Sequence, residues 1–281
     1  MQNHNRKKII AGNWKMHNIR PEAQELCRAI ISGIEKEKDL PEIVLIPPYT
    51  SLETVSSEIK DTSIQLGAQN MDHRDFGAFT GEISPLMLID LNIKYVLVGH
   101  SERRQYFGET NAVVNQKVTA ALAHELIPIL CVGESLDERE SHLTDNVVRR
   151  QVGAALSGIT QTHLKELVIA YEPVWAIGTG KVCEAKEANR VATLIRFTVS
   201  DLYSSLETKR DSLSPQAIAN VGEIVPILYG GSVKPSNIEE QLAQPEIDGV
   251  LVGGASLKAS EFLSIIKAGQ KKIKMSYSCR I

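Results

Sequence analysis

Eight short apolar segments, rich in β-branched residues, recur along the chain and restrict its possible folds more than any other feature. Each segment is apolar on both faces, which is typical of parallel strands that are covered on both sides. Most of them are separated by about the length of a strand followed by a helix. Their first residues are Ile9, Ile43, Ile64, Tyr95, Ile127, Leu167, Ile227 and Gly249.

Between these segments the apolar residues change to the spacing of a helix. Val114, Val118 and Leu122 share one helical face, and a similar spacing begins at Ala188. Repeated alternation of strand and helix predicts an α/β protein, with either an open doubly wound sheet or a closed (β/α)8 barrel. Because no Pro/Gly/Ser-rich linker interrupts the pattern, we predict a single-domain barrel of eight parallel strands over residues 1–281.

The charge balance excludes several classes of function. Among 281 residues, 31 are Lys or Arg and 34 are Asp or Glu, which gives a net charge of -3, and only 5% are aromatic. A strongly basic, aromatic-rich nucleic-acid binder is therefore excluded. No apolar run approaches the length of a membrane span, and no segment resembles a signal peptide. We expect a cytoplasmic protein with neither nucleic acid nor a membrane as a partner.

The cysteines predict neither a metal site nor a disulfide framework. Cys27, Cys131, Cys183 and Cys279 are far apart and form no CxxC pair. No pair of histidines at helical spacing accompanies them, so a zinc site is not expected. A chain of this size needs no disulfides to build its core, and free thiols are typical of the reducing cytosol.

Three parts of the chain lie outside the regular alternation. Residues 201–224, between the sixth and seventh apolar segments, are polar and rich in turn-forming residues, which predicts a surface excursion. Residues 1–7 and 271–281 form extra ends. The C-terminal end is basic and irregular in pattern, so we expect it to be frayed.

Ionisable residues follow several of the predicted strands. The carboxyl ends of barrel strands meet on one rim, where enzymes of this architecture place their chemistry. This rim carries Asn13 and Lys15, then His100 and Glu102, and later Glu172. Together they supply a carboxylate, an imidazole and a fixed cation. Taken singly, a glutamate is more often a solvated carboxylate and a histidine more often structural, and the alternative for Lys15 is a surface lysine.

The residues after His100 indicate its protonation state. Ser101–Gln105 is a polar stretch that is able to begin a helix. The N-terminus of a helix disfavours the imidazolium form, which keeps a histidine neutral and able to donate a hydrogen bond. We therefore expect a neutral His100.

Glycine-rich turns are the other feature of the predicted rim. Pro173–Lys181 combines apolar residues with glycines such as Gly178, a composition typical of a loop that closes over a ligand. Ser232 follows the seventh strand, and Gly253 and Gly254 follow the eighth. Barrels commonly bind phosphate at these places through backbone N–H groups. Plain tight turns are the alternative interpretation for either place alone.

Two familiar motifs match this sequence only in part. GTGK at Gly178–Lys181 lacks the earlier glycine of a nucleotide-binding P-loop. GHSER at Gly99–Arg103 has an arginine where the nucleophile elbow of serine hydrolases has its final glycine. Nucleotide binding and serine hydrolase chemistry are therefore disfavoured.

Eight blocks of sequence, taken in order, resemble the triosephosphate isomerase family. The resemblance extends from about Lys8 to about Gly269 and leaves the two ends outside. The blocks are AGNWKM (Ala11–Met16), GAQN (Gly67–Asn70), GAFTGEIS (Gly77–Ser84), VGHSERR (Val98–Arg104), ILCVGE (Ile129–Glu134), YEPVWAIGTGK (Tyr171–Lys181), ILYGGSVKP (Ile227–Pro235) and GVLVGGASL (Gly249–Leu257).

The resemblance implies a TIM barrel that interconverts dihydroxyacetone phosphate and D-glyceraldehyde 3-phosphate without a cofactor or metal. It implies that Glu172 is the base that moves a proton between two carbons. Neutral His100 would polarise the carbonyl group and move protons between the oxygens. Lys15 would supply positive charge to the substrate oxygens, and Asn13 would help to position the rim.

The resemblance also assigns the remaining site residues. Gly178, Ser232, Gly253 and Gly254 match backbone donors that hold the phosphate, and Glu102 matches a buried acidic partner of the site. Pro173–Lys181 matches a lid that excludes water. We further hypothesise that lid closure prevents the loss of phosphate from the enediolate intermediate.

Family members are usually homodimers, and Gly77–Ser84 matches the loop that reaches into the neighbouring subunit. Thr80 would then lie near the active site of the partner subunit and support its residues equivalent to Asn13 and His100. The triplet Val182-Cys183-Glu184 departs from the commoner residues at the C-terminal hinge of the lid.

Two other functions compete with this interpretation. Another phosphate-binding barrel isomerase, acting on a larger sugar phosphate, would not require Asn13, Lys15, His100 and Glu172 together. A non-catalytic relative kept as a scaffold would commonly have lost Lys15, His100 or Glu172. All of these residues are present, which favours the first function over both alternatives.

Overall fold

The computed structural model describes residues 6–207 and 221–278, and its strands are all parallel and close into one barrel. Each strand pairs with the next one along the chain, and the last pairs with the first. The predicted (β/α)8 barrel is confirmed. The strands are β1 (Ile9–Asn13), β2 (Glu42–Ile46), β3 (Gln65–Ala68), β4 (Tyr95–Val98), β5 (Ile127–Val132), β6 (Val168–Tyr171), β7 (Ile227–Tyr229) and β8 (Gly249–Val252).

Helices on the outside of the barrel return the chain from one strand to the next. Side-chain hydroxyls cap several of them, because the first N–H groups of a helix lack partners within it. Ser84 accepts a hydrogen bond from the Met87 N–H, and Thr110 accepts one from the Val113 N–H. The helices are α1 (Arg20–Ile34), α2 (Leu52–Ile59), α3 (Pro85–Asp90), α4 (Ser101–Tyr106), α5 (Asn111–Ala123), α6 (Leu136–Glu140), α7 (Thr144–Ala155), α8 (Ala185–Glu207), α9 (Ile238–Ala243) and α10 (Ala259–Ser278).

The strands are apolar on both faces because they separate two layers of the core. One layer fills the inside of the barrel, and the other lies between the strands and the helices. Along β5, Ile129 and Cys131 belong to the inner layer, whereas Leu130 and Val132 belong to the outer one. Successive side chains of a strand point to opposite faces, so both sets must be apolar.

The two ends of the surface excursion predicted for 201–224 are helical. Helix α8 continues to Glu207, and Tyr203 is buried on it. A short 3-10 helix at Val221–Ile224 then leads toward β7. The polar residues of these stretches obscure the few apolar positions that continue the helix into the core. Residues 208–220, the rest of the predicted excursion, lie outside the described residues.

The prediction of a frayed C-terminal end is wrong for most of the length of that end. Helix α10 continues to Ser278. Lys271 forms an ion pair with Glu239 of α9, with 2.6 Å between the nitrogen and the oxygen. The basic pattern that suggested an irregular end therefore includes a residue with a partner in the fold. Residues 1–5 and 279–281 lie outside the described residues.

A buried carboxylate at the amino end of the barrel gathers cations from distant parts of the chain. Asp248, directly before β8, accepts hydrogen bonds from Arg6 Nε (2.9 Å), Lys8 Nζ (2.6 Å) and Arg196 Nη2 (2.6 Å). Burial alone would raise the pKa of Asp248, but the three cations lower it below its usual value. The carboxylate therefore stays ionised and ties Arg6 to the barrel.

Lys272 of α10 lies beside this cluster. Its Nζ donates hydrogen bonds to the carbonyl oxygens of Gln244 and Ile247, which lead into β8. Burial lowers the pKa of Lys272 from 10.5 to about 7, and the nearby charge of Lys8 acts in the same direction. Folding therefore shifts the protonation equilibrium of Lys272 toward the neutral amine.

Within residues 6–207 and 221–278, no helix combines the length and the apolar character that crossing a membrane requires. In the same ranges Cys27, Cys131 and Cys183 are buried free thiols, and Cys279 lies outside them. The described part of the chain also contains no group of three or more His, Cys, Asp or Glu side chains arranged to hold a metal ion.

We predict that Lys272 makes the free energy of unfolding rise with pH. Its pKa is about 7 in the folded chain and 10.5 when unperturbed. Between these values the unfolded chain binds a proton that the folded chain does not, so stability increases by up to about 1.4 kcal/mol per pH unit. Denaturant unfolding at several pH values between about 7 and 9 measures this slope.

Two variants isolate the contribution of Lys272. Lys272→Met removes the titrating amine, so the stability difference between wild type and this variant should grow as the pH rises. Lys271→Met removes an exposed amine from the same helix and should keep the wild-type slope. Parallel stability curves for wild type and Lys272→Met would contradict the prediction.

Candidate active site

A cavity of about 790 Å³ opens at the carboxyl ends of the strands. It brings together eight of the ten residues that the sequence singled out. They come from segments far apart in the chain, and they meet because parallel strands in a closed barrel end on one rim. The eight are Asn13, Lys15, His100, Glu172, Gly178, Ser232, Gly253 and Gly254.

Lys15 has an uncommon backbone conformation that its neighbours hold in place. Its φ angle is 53°, in the left-handed region that residues other than glycine rarely adopt. Asn13 Oδ1 accepts a hydrogen bond from the Lys15 N–H (3.0 Å), and Gln69 Nε2 donates one to the Lys15 carbonyl oxygen (2.7 Å). The chain thus turns sharply after β1, and Lys15 Nζ lies 2.6 Å from Glu102 Oε1.

His100 follows the end of β4 and caps helix α4, which begins at Ser101 as the sequence predicted. Its Nδ1 accepts a hydrogen bond from the Glu102 N–H (3.2 Å). An accepting nitrogen carries no proton, so this hydrogen-bond network assigns the ring proton to Nε2. Nε2 lies 3.1 Å from Glu172 Oε1 and is placed to donate to it.

Glu172 is buried directly after β6, with 2% of its surface exposed. Its Oε2 accepts a hydrogen bond from the Ser101 N–H (2.9 Å), while Oε1 faces His100. Two glycines leave room for it. A Cβ on Gly133 would lie 1.7 Å from the Glu172 carbonyl oxygen, and one on Gly230 would lie 2.9 Å from Glu172 Cγ. The position of the carboxylate therefore depends on glycine in two neighbouring strand ends.

The backbone forms the part of the cavity next to Lys15. A short 3-10 helix begins at Gly254, directly after Gly253. A Cβ on Gly253 would lie 3.5 Å from Lys15 Cε, so the lysine stem passes close to this turn. At the end of β7, the Ser232 carbonyl oxygen accepts a hydrogen bond from Asn237 Nδ2 (2.9 Å), which fixes the turn. Close-packed turns beside an ammonium group suit an anion such as phosphate.

Glu102 and Thr80 are the two predicted residues that do not line the cavity. Contrary to the prediction, Glu102 is not buried, since 37% of its side chain is exposed. It extends toward Lys15 at the open rim instead of into the core. Thr80 is exposed in the loop between β3 and α3 and does not reach the cavity of its own chain.

The segment Pro173–Lys181 borders the cavity through residues that include Gly178. Its first turn is anchored on Glu134, a fully buried carboxylate after β5. Glu134 accepts hydrogen bonds from Trp175 Nε1 (2.9 Å) and from the Tyr171 hydroxyl (3.2 Å). Burial and the charge of Glu134 raise the pKa of Tyr171 well above its usual value, so the hydroxyl remains a donor.

A comparison of the whole chain with known families agrees with this arrangement. The family model described as triosephosphate isomerase matches residues 8–269. The chain belongs to the triosephosphate isomerase family. The match includes every predicted site residue and leaves out only the two ends.

Relatives named triosephosphate isomerase are similar to the chain over nearly all of its length. A protein from Clostridium tetani is 51% identical over 261 residues, which cover 93% of this chain and 96% of the relative. One from Thermoanaerobacter sp. (strain X514) is 50% identical over 93% of this chain and 99% of the relative. One from Dictyoglomus thermophilum is 48% identical over 94% of this chain and 100% of the relative.

Gln69 and Glu134 lie in the blocks Gly67–Asn70 and Ile129–Glu134, but sequence patterns assigned them no role in this member of the triosephosphate isomerase family. The structure shows that Gln69 holds the Lys15 turn and that Glu134 anchors the first turn of Pro173–Lys181. The sequence signal that could have identified Gln69 and Glu134 was a polar residue directly after a buried strand. Gly133 and Gly230 gave no such signal, because the need for space at both positions comes from Glu172, which is distant in sequence.

We predict that Gly230→Ala lowers triosephosphate isomerase activity by at least about tenfold while the barrel stays folded. The new Cβ would lie 2.9 Å from Glu172 Cγ and 3.2 Å from the Tyr171 carbonyl oxygen, so the Glu172 side chain must move. Displacing a catalytic group by about 1 Å can cost roughly 100-fold in rate. Steady-state rates and circular dichroism of wild type and variant measure both quantities.

Gly153→Ala is the matched control for this prediction. Its Cβ would meet Leu202 Cδ2 at 3.8 Å, an ordinary contact, and the residue lies in helix α7. This variant should keep the wild-type rate. A natively folded Gly230→Ala protein with an unchanged rate would show that the carboxylate position does not depend on this glycine.

Proposed function

We propose that this chain interconverts dihydroxyacetone phosphate and D-glyceraldehyde 3-phosphate. One observation carries the proposal: a buried carboxylate, a donating imidazole and an ammonium group meet in one cavity beside turns suited to phosphate. Glu172 Oε1 and His100 Nε2 are 3.1 Å apart. Lys15 forms an ion pair with Glu102 of α4, the helix that His100 caps. Relatives that share about half of the residues carry the name of this activity.

Glu172 is the proposed base. It removes a proton from carbon 1 of dihydroxyacetone phosphate, and the electron pair of the broken C–H bond forms an enediolate. Returning the proton to carbon 2 gives the aldehyde. Its carboxylate is almost fully buried, accepts a hydrogen bond from the Ser101 N–H and faces His100 Nε2. Once substrate displaces the contact with His100, the Glu172 carboxylate is placed to accept the proton from carbon 1.

His100, Lys15 and Asn13 are the proposed stabilisers of the enediolate. Negative charge develops on the substrate oxygens, and hydrogen bonds and a cation at those oxygens lower the barrier. His100 donates from Nε2, because Nδ1 is engaged by the Glu102 N–H. Asn13 supports the strained turn that places the Lys15 ammonium at the rim, with Glu102 as its carboxylate partner.

Backbone N–H groups of Gly178, Ser232, Gly253 and Gly254 are proposed to hold the phosphate. Glycine lets the chain approach an anion closely, and Lys15 adds the only proposed side-chain charge there. Gly178 belongs to the lid, so phosphate binding would draw Pro173–Lys181 over the cavity. Closure would exclude water and hinder the enediolate from expelling its phosphate as methylglyoxal forms.

The proposed reaction uses neither a cofactor nor a metal. It moves a proton between two carbons and another between two oxygens, and it transfers no electrons or groups to a second molecule. The proposed compartment is the cytoplasm, because the buried thiols Cys27, Cys131 and Cys183 suit a reducing environment.

The proposed assembly is a homodimer. Met16 and Phe76 expose 93% and 84% of their surface, an arrangement that favours an interface over free solution. Arg74 stacks over the ring of Phe79, with 3.2 Å between the guanidinium carbon and the ring centroid, which stiffens the protruding loop. In a dimer, Thr80 of this loop would support the active site of the partner subunit.

We predict that wild type isomerises D-glyceraldehyde 3-phosphate rapidly and that Glu172→Asp lowers kcat by at least about 100-fold. The shorter side chain withdraws the carboxylate by one methylene group while keeping its charge. A coupled assay measures both rates, and Glu53→Asp, an exposed substitution on α2, should match wild type. A folded wild-type protein that is inactive on triose phosphates would instead favour a larger sugar phosphate or a scaffold role.

We predict that the protein sediments as a dimer at micromolar concentration, at about twice the chain mass of 30.9 kDa. Phe76→Asp places a charge in the proposed interface and should increase the monomer fraction together with a fall in activity. Analytical ultracentrifugation and the isomerase assay measure both effects. Monomeric wild type with full activity would contradict the dimer.

A further inference from the structure

Arg139 of α6 contacts residues on both sides of the lid segment Pro173–Lys181. Its guanidinium carbon lies 4.4 Å from the ring centroid of Trp175, in the first turn of that segment. Its Nη1 lies 3.2 Å from Oε1 of Glu187, in the first turn of α8, which follows the segment. The same nitrogen lies 3.4 Å from Glu134 Oε1. One side chain therefore bridges the entry and the exit of the lid.

The charges in this cluster favour the bridge. Glu134 is fully buried, so its carboxylate needs donors, and it receives them from Trp175, Tyr171 and Arg139. Although burial favours the neutral form of Arg139, the hydrogen bond and charge of Glu187 raise its pKa above the usual value. The guanidinium thus stays charged, and a charged planar group over an indole ring is attracted to its face.

We propose that Arg139 is a positioning residue that couples the two flanks of the lid, so that the lid closes as one unit to a single position. The interpretation of Pro173–Lys181 as a lid rests on the proposed function, whereas the coupling itself rests on the contacts of Arg139. Without Arg139, the turn at Trp175 and the start of α8 lose their common partner. The lid then adopts more conformations, and closing it over a ligand costs more entropy.

The first test measures the lid without any catalysis. Trp175 is partly exposed, whereas Trp14, the other tryptophan, is fully buried. Acrylamide quenching of fluorescence therefore reports mainly on Trp175, and Trp175→Phe identifies its share of the signal. Arg139→Gln should increase the quenching constant of Trp175 about twofold. This result is independent of activity, so it tests the coupling even if the chain proves inactive on triose phosphates.

The second test measures what fraction of the enediolate loses phosphate to give methylglyoxal instead of forming the isomerised product. If the lid opens too early, the electron pair of the enediolate expels phosphate, the C–O bond breaks, and the enol product becomes methylglyoxal. Arg139→Gln should lower kcat about tenfold and raise methylglyoxal per turnover several-fold. Arg139→Lys keeps the charge near Glu134 and Glu187 but loses the planar stacking, so it should restore part of both values.

Arg190→Gln is the matched control. Arg190 binds the same carboxylate, with Nε 2.9 Å from Glu187 Oε2, and it also pairs with Asp145, but it does not contact Trp175. This variant should lose stability without changing Trp175 quenching or methylglyoxal release. Wild-type values of both readouts in Arg139→Gln, or equal changes in Arg190→Gln, would overturn the coupling and leave Arg139 a purely structural ion-pair partner.

Discussion

Closure of the barrel between its first and last strands is the contact on which the active site depends. Gly249 begins β8 beside Ile9, and a Cβ on Gly249 would lie 1.8 Å from the Ile9 carbonyl oxygen. Glycine alone permits this approach. At the other ends of the same two strands lie Lys15 and Gly253, which become neighbours because the strands are paired in this register. The proposed phosphate site is therefore a consequence of how the barrel closes.

Buried carboxylates lie at both ends of the barrel, and each has its own set of hydrogen-bond partners. At the amino end, Asp248 forms ion pairs with three cations. At the carboxyl end, Glu134 holds the lid segment through hydrogen bonds to several donors. Glu172 differs from both, since its ion-pair partner among the described residues is His100 and not a lysine or arginine. A carboxylate without such a fixed cation is consistent with the proposed role of Glu172 as a base.

The sequence predicted the strand order and most of the cavity because both depend on local patterns. Apolar runs mark the strands, and polar residues directly after them mark the rim, as at His100 and Glu172. Local patterns failed where polar residues pack against distant partners. Helix α8 continues past Asp201 and buries Tyr203, and α10 continues past Lys271, whose amine pairs with Glu239. Glu102 was expected to be buried, but the side chain that it contacts lies at the open rim.

By itself the sequence determined that this chain forms a (β/α)8 barrel and that its rim carries the residue types of a triosephosphate isomerase. Periodicity, turn chemistry and short motifs are properties of neighbouring residues, so they can be read along the chain. Only the tertiary structure decided the left-handed turn at Lys15, the space that Gly133 and Gly230 leave for Glu172, and the contacts of Arg139 with both flanks of the lid. These features join residues that are far apart in sequence, and no local pattern contains the distances between them.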